Sequence, residues 1–181
     1  PVCHGLPIIP FETLAERHPP ERTCIINAVG YLQMNAIRGL FSTKALAQGY
    51  ELPGFVHPSA TIAGNCQIGV NFIALQGVIV EPFVELGDNV FMWSGASVCH
   101  HSKIGDNVFL APRAALAGCV TVGDYCFVGA NSTIRSRVTL GERCLVGAGT
   151  YINYDTQAES VYRSAPGTRA DMKSTDINPL R

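Results

Sequence analysis

From Val56 to Ile152 the chain counts in sixes. Val56, Ile62, Ile68, Ala74, Val80, Leu86, Met92 and Val98 lie six apart, and the spacing continues without a slip through Ile104, Leu110, Leu116, Val122, Val128, Ile134, Leu140, Val146 and Ile152. All are aliphatic or Met apart from Ala74. An aliphatic-Gly pair recurs every third step, at Ile68-Gly69, Leu86-Gly87, Ile104-Gly105, Val122-Gly123 and Leu140-Gly141. The slot four residues after each large residue stays small or β-branched (Ala60, Cys66, Val78, Val84, Ala96, Ser102, Ala114, Cys126), and Phe72 alone is bulky. Neither a helix, with period 3.6, nor a simple strand, with period 2, produces such a count. A short strand plus a corner does: three hexads close one turn, and successive turns stack at the sheet spacing of about 4.8 Å. The large residues fill a narrow three-sided interior and the small ones sit beside the bends. The unbroken phase leaves no inserted loop between 56 and 152.

Composition narrows the function classes. With 13 basic and 14 acidic side chains the net charge is −1, which argues against a nucleic-acid binder. At 47% hydrophobic residues the chain has the apolar content for a packed core, so it is not a disordered chain. No run approaches the roughly 18 apolar residues of a membrane span. Seven cysteines without a C-x-x-C pair fit neither a closed disulfide framework nor a zinc ribbon. Reduced thiols and a cytoplasmic setting follow, with no metal expected. The chain begins at Pro1 rather than Met, so a leader ahead of it stays open.

The repeat divides the chain into three parts. Residues 1–54 lie before it. Phe11 to His18 reads as a short helix stopped by Pro19-Pro20. Thr23 to Val29 reads as a buried strand ending on Gly30. Asn35 to Gln48 reads as a helix with Met34, Ile37, Phe41 and Ala45 on its inner face and Gly49 as its stop. Strand then helix predicts a partial, incomplete α/β segment. Residues 55–166 form the repeat domain, with Val161 to Pro166 as a last strand. Residues 167–181 read as a polar tail.

Chemistry points first to His100-His101, an adjacent pair at a repeat corner in a chain with five histidines. Imidazole is the natural base for acyl transfer near neutral pH. Two ordinary surface histidines are the alternative.

The segment Trp93-Ser94-Gly95-Ala96-Ser97-Val98-Cys99-His100-His101-Ser102-Lys103-Ile104-Gly105 resembles the active-site coil of one subgroup of hexapeptide-repeat acyltransferases. Those are the sialic-acid O-acetyltransferases and nucleotide-amino-sugar N-acetyltransferases. Val56-His57-Pro58-Ser59-Ala60 is similar to the way they begin their coils, and the likeness spans about residues 23 to 166. The resemblance implies a left-handed parallel β-helix and an acetyl-CoA-dependent enzyme of cell-surface polysaccharide synthesis. It implies a homotrimer whose sites lie between subunits. The substrate would be a nucleotide-linked amino sugar, acetylated on its amine. O-acetylation of a sialic-acid type of sugar is the alternative.

By position, His100 is the implied general base, taking the proton of the attacking amine. His101 stands where relatives often carry Asp or Glu, and Phe109 where many carry a second histidine. Trp93 stands in place of a common Asn and becomes a candidate to stack on sugar or pantetheine, with packing at a subunit interface as the alternative. Gly118 is the implied oxyanion donor, and Ala130 and Ala148 the implied floor for pantetheine on the same side. Tyr31, Asn35 and Arg38 are candidates for the nucleotide end, although no glycine-rich loop accompanies them, and helix capping is the alternative for Asn35. Arg113, Arg135, Arg137, Arg143 and Arg163 concentrate charge in or just beyond the later coils, suited to the phosphates of coenzyme A, with no single arginine assigned. Cys99 is read as a bystander to direct transfer, and Cys126 and Cys144 as core packing. Two other classes stand as alternatives to acetyl transfer. A γ-class carbonic anhydrase would need three zinc histidines. A non-catalytic scaffold would use the repeat for assembly alone.

Overall fold

The computed structural model describes residues 1–167 together with Arg169 and Asp171. The expected polar tail therefore lies largely outside the described residues. Two-residue strands recur every six residues from Phe55–Val56 to Tyr151–Ile152, and each up to Thr133–Ile134 pairs in parallel with the strand 18 residues on. Three sheets result, each one side of a triangular coil. The first face carries Phe55–Val56, Ile73–Ala74, Phe91–Met92, Phe109–Leu110, Phe127–Val128 and Leu145–Val146. The second face includes Ser97–Val98 and Ala115–Leu116, and the third Lys103–Ile104 and Thr121–Val122. The chain is thus a mainly β parallel solenoid. A last strand, Val161–Tyr162, pairs with Leu145–Val146 in a register of 16 rather than 18, as the fading of the period after Ile152 predicts.

Corners join the faces. The first corner, between first and second faces, stacks Ser94, Pro112, Ala130 and Ala148. The second stacks Pro82, His100, Gly118 and Ser136. The third stacks Asp88, Asp106, Asp124 and Glu142. The next residue at each corner turns left-handed, including Asn71, Asn89 and Asn107 at the third corner and Phe83, His101, Cys119 and Arg137 at the second. Asn tolerates that region well, whereas bulky side chains there are uncommon.

The six-residue register is the core. From Val80 onward every large inward residue is at most 5% exposed. At the opening coil the same register is open, with Val56 47% and Ile68 42% exposed. The small inward slot also has a polar use. Cys66, Ser102, Cys126 and Ser132 each donate through sulfur or hydroxyl to the carbonyl fifteen residues on, at 2.7–3.2 Å. Cys126 and Cys144 are free thiols, and burial pushes the Cys126 thiol up to about 12.

The N-terminal segment departs from the expected α/β unit. It opens with an antiparallel hairpin, Val2–Cys3 with Leu6–Pro7. The helix expected over Phe11 to His18 is present as a 3₁₀ turn, Phe11–Thr13, and a short α-helix, α1 (Leu14–Arg17). The strand expected over Thr23 to Val29 is not formed. The segment makes one isolated bridge, Cys24 with Glu51, and most of it is exposed or half-buried. Its apolar composition serves a small cluster instead, in which Ile25 packs against Ala45, Tyr50 and Leu52.

The second helix, α2 (Ala36–Ala47), matches its expected span, but its buried face does not match. Arg38, Gly39, Ser42 and Ala45 face inward, while Ile37 and Phe41 are half-buried. The partner surface explains the shift. At the third corner α2 meets an asparagine ladder with exposed coil carbonyls, so polar residues complement it. Asn27 donates to Ser42 Oγ at 2.8 Å, and Asn71 donates to Asn89 Oδ1 at 3.2 Å. A Cβ on Gly39 would come within 2.8 Å of Asn107 Oδ1.

Candidate active site

His100 follows the second-face strand Ser97–Val98 and occupies the second corner. Its backbone N–H donates to Glu81 Oε2 at 2.9 Å, and its carbonyl accepts from Cys119 N–H at 2.9 Å. Its ring lies over Gly118 one coil later. A Cβ on Gly118 would meet His100 Cε1 at 2.6 Å and Nε2 at 2.7 Å. Glycine is needed here for room rather than for a left-handed backbone.

His100 Nδ1 sits 3.1 Å from His101 Nδ1. One of the two must carry the proton in that contact. A proton on His100 Nδ1 leaves Nε2 with a lone pair toward Gly118. His101 is braced by stacking on Phe83, with centroids 4.9 Å apart and planes 29° apart.

Gly118 N–H meets no acceptor among the described residues. The contrast with the third corner is instructive. There the N–H groups of the earlier coils are met by an aspartate of the next coil, Val70 by Asp88, Asp88 by Asp106 and Asp106 by Asp124, at 2.8–2.9 Å, while those of Asp124 and Glu142 have no acceptor among the described residues. At the second corner Pro82 has no N–H and His100 spends its own on Glu81, so the donors of Gly118 and Ser136 stay open. A cavity of about 430 Å³ is lined by His100, Gly118, Cys119, Arg135, Ser136 and Arg137.

Glu81 escaped the sequence reading. It lies one coil before Cys99, and only the 18-residue register brings it to His100. Cys99 lies beside His100, one coil after Glu81. Burial first, then the charge and hydrogen bond of Glu81, raise its thiol above the ordinary range, which disfavours the nucleophilic thiolate.

Ala130 and Ala148 do not share the His100 corner. They follow first-face strands and line a separate cavity of about 430 Å³ at the first corner, with Tyr31, Trp93, Phe109, Pro112 and Phe127 among its walls. The separation follows from spacing: twelve residues is two sides of the triangle, so 118 and 130 fall on different corners. The aromatic wall is a ladder of outward first-face residues. Phe91, Phe109 and Phe127 stack at centroid distances of 5.0 and 5.5 Å. Trp93, 40% exposed, stacks on Phe91 at 5.5 Å, and Tyr31 packs on Phe127 at 4.9 Å. An eighteen-residue recurrence of Phe beside each inward residue was the available signal.

Asn35 and Arg38 are corrected as ligand contacts. Both are fully buried. Arg38 donates from Nε to Asn89 O at 3.1 Å, from Nη1 to Gly30 O at 3.2 Å and Asn35 Oδ1 at 3.1 Å, and from Nη2 to Asn107 O at 2.9 Å. Burial pushes its guanidinium down to about 10, which still leaves it charged at neutral pH. Asn35 Nδ2 donates to Cys126 O at 3.1 Å. These side chains fasten the N-terminal segment to the coil, and of the three candidates only Tyr31 reaches a cavity.

A three-sided parallel coil of hexads is the architecture of the hexapeptide-repeat acyltransferases, and the repeats of this chain match models of that class. Residues 101–136 match the family described as bacterial transferase hexapeptide (six repeats), and residues 119–154 the hexapeptide repeat of succinyl-transferase. Among solved structures, the acetyltransferase domain of PglB from Neisseria gonorrhoeae FA1090, in complex with acetyl coenzyme A, is similar with a TM-score of 0.85. It has 28% identity and covers 93% of this chain and 81% of its own. PerB from Caulobacter crescentus, in complex with CoA and GDP-perosamine, gives 0.85 and 28%, over 92% of this chain and 79% of its own. WeeI from Acinetobacter baumannii AYE shares the fold at 16% identity and a TM-score of 0.68, over 89% of this chain and 76% of its own. No curated protein matches. Among the described residues no helix is long and apolar enough to cross a membrane, and no three His, Cys, Asp or Glu side chains gather as a metal site.

Proposed function

We propose that the chain transfers an acetyl group from acetyl-CoA to the amine of a nucleotide-linked amino sugar, directly and with His100 as general base. The observation that carries the reading is the imidazole lying over Gly118, beside a backbone N–H with no other acceptor. The likeness to PerB, described with CoA and GDP-perosamine, supports the substrate class.

His100 Nε2 takes a proton from the acceptor nitrogen as that nitrogen bonds to the thioester carbon. Gly118 N–H donates to the oxygen that becomes negative, a donor of the kind usually worth a few kcal/mol. The oxyanion then collapses, the carbon–sulfur bond breaks, and the thiolate leaves. His101 holds His100 in the tautomer that presents Nε2. Trp93, Tyr31, Ala130 and Ala148 supply the apolar cavity for the sugar or the pantetheine arm. Because that cavity lies at another corner from His100, a complete site draws the first corner from a neighbouring copy, within a homotrimer.

Thioester loss, followed by direct ultraviolet absorbance with UDP-, dTDP- and GDP-linked amino sugars, tests the reaction. Turnover with one amino sugar is expected, and His100→Ala should lower it by about 10²–10⁴-fold. Turnover unchanged in that variant removes His100 as the base. Turnover with a hydroxyl acceptor alone transfers the reading to sugar O-acetylation.

A further inference from the structure

The cavity beside His100 is built from donors. Arg135 and Arg137 line it on either side of Ser136, all three exposed. Neither arginine has a carboxylate within ion-pair distance among the described residues. The single ion pair there, Lys103 with Glu85 at 3.0 Å, belongs to the third face. Glu81, the carboxylate of this corner, lies on the far side of His100 and is engaged with the His100 N–H. Ser136 N–H has no acceptor among the described residues, and its hydroxyl adds another donor. At the third corner Asp106 and Asp124 cap the N–H one coil earlier. At the second corner Gly118 and Ser136 stand in that register, with Arg135 and Arg137 flanking Ser136.

Two guanidiniums, a hydroxyl and an unspent N–H around one concavity select an anion with several acceptor oxygens. Arginine's planar fork matches phosphate in particular. Position then connects this concavity to the reaction. Ser136 is two coils beyond His100, about 10 Å along the stack, and an extended arginine side chain covers several ångströms more in either direction. A phosphate held there is within the span of one molecule whose reacting atom lies at His100.

We propose that Arg135 and Arg137, with Ser136, form a phosphate subsite that anchors one substrate of the acyl transfer while its reacting group sits at His100. The inference deepens the proposed function and rests on it for the identity of the two substrates. Both carry phosphate: the diphosphate beside the anomeric carbon of a nucleotide sugar, and the phosphates of coenzyme A. The shared chemistry is a phosphate ester or diphosphate, and kinetics tells the two apart.

The test compares wild type, the double variant Arg135→Gln/Arg137→Gln and its counterpart Arg135→Lys/Arg137→Lys. Acetyl-CoA and acetyl-pantetheine, which lacks the nucleotide phosphates, serve as donors. Loss of two charge-assisted contacts should raise one substrate's KM about 10–100-fold with kcat nearly kept. The lysine variant should recover part of the loss. If the donor is anchored, the wild-type preference for acetyl-CoA over acetyl-pantetheine collapses in the glutamine variant. If the acceptor is anchored, the nucleotide sugar's KM rises equally with both donors. Unchanged KM for both substrates overturns the subsite. Calorimetric titration with CoA and with GDP separates this from failure of the reaction. If wild type acetylates no sugar yet binds CoA or GDP more tightly than the glutamine variant, the reaction assignment falls and the subsite stands. Equal affinity in both proteins, or no binding of either ligand to wild type, overturns the subsite.

Discussion

The roles proposed for Gly118 and His101 rest on geometry that single substitutions can separate. A methyl group on Gly118 would occupy the place of the imidazole edge, 2.6 Å from His100 Cε1. Gly118 has an ordinary backbone conformation, since it is absent from the left-handed residues, so alanine costs little fold strain. Gly118→Ala should therefore melt within a few degrees of wild type while losing about 10²-fold in kcat, the scale of a displaced base. An unchanged kcat would show that the ring does not act from this position. His101 admits a sharper contrast. His101→Asn keeps a hydrogen-bond acceptor and suits a left-handed φ of 56°. His101→Phe keeps the stack on Phe83 and loses the acceptor, and Phe83 itself occupies the same corner position at φ 64°. If His101 positions His100 through Nδ1, the Asn variant retains most of kcat and the Phe variant loses it, with KM similar in both. The opposite order would assign His101 to packing alone. The pair was legible in the sequence as residues, and the Nδ1–Nδ1 contact between them comes from the structure. Glu81 was not legible, because its role depends on a side chain reaching across coils.

The hexad is the element, and its inward residues do not all weigh the same. Leu116 is fully buried, whereas Val56, in the same register, is 47% exposed at the open first coil. Truncating a buried leucine costs about 2–5 kcal/mol, and a half-exposed valine far less. Leu116→Ala should lower stability to chemical denaturant by that amount, and Val56→Ala by less than about 1 kcal/mol. Equal losses would mean that the opening coil is covered in solution. Periodicity made these positions readable, since every inward residue from Val80 to Ile152 was identified by counting alone. It failed in the N-terminal segment for a physical reason. A short apolar run such as Thr23 to Val29 suits a strand or a cluster equally, and only tertiary partners decide. Likewise the amphipathic pattern of α2 assumed an apolar partner. The surface it meets is a ladder of asparagines and carbonyls, so Arg38 and Ser42 turned inward in place of Ile37 and Phe41.

At the scale of the molecule, the two halves of the proposed site are held on different corners of a rigid triangle. His100 and the open donors stand at the second corner, and the aromatic cavity with Trp93, Ala130 and Ala148 stands at the first. A full strand of the second face separates them, and the coil has no hinge with which to fold one corner onto the other. A head-to-tail ring of copies can bring the second corner of one copy against the first corner of the next, as a heterologous interface closes a trimer. Two variants then become complementary. His100→Ala removes the base and leaves the first corner intact. Ala148→Trp fills the aromatic cavity and leaves His100 intact. Each alone should be inactive as a homotrimer. Mixed at equal amounts during assembly, they should form hybrid rings in which about a quarter of the sites pair an intact second corner with an intact first corner, and activity should return in that proportion. Remixing already assembled trimers without exchange should restore nothing. Failure of co-assembled hybrids to recover activity, or full activity in a monomer by sedimentation, would confine the site to a single copy. The aromatic cavity would then have to serve something other than the transfer.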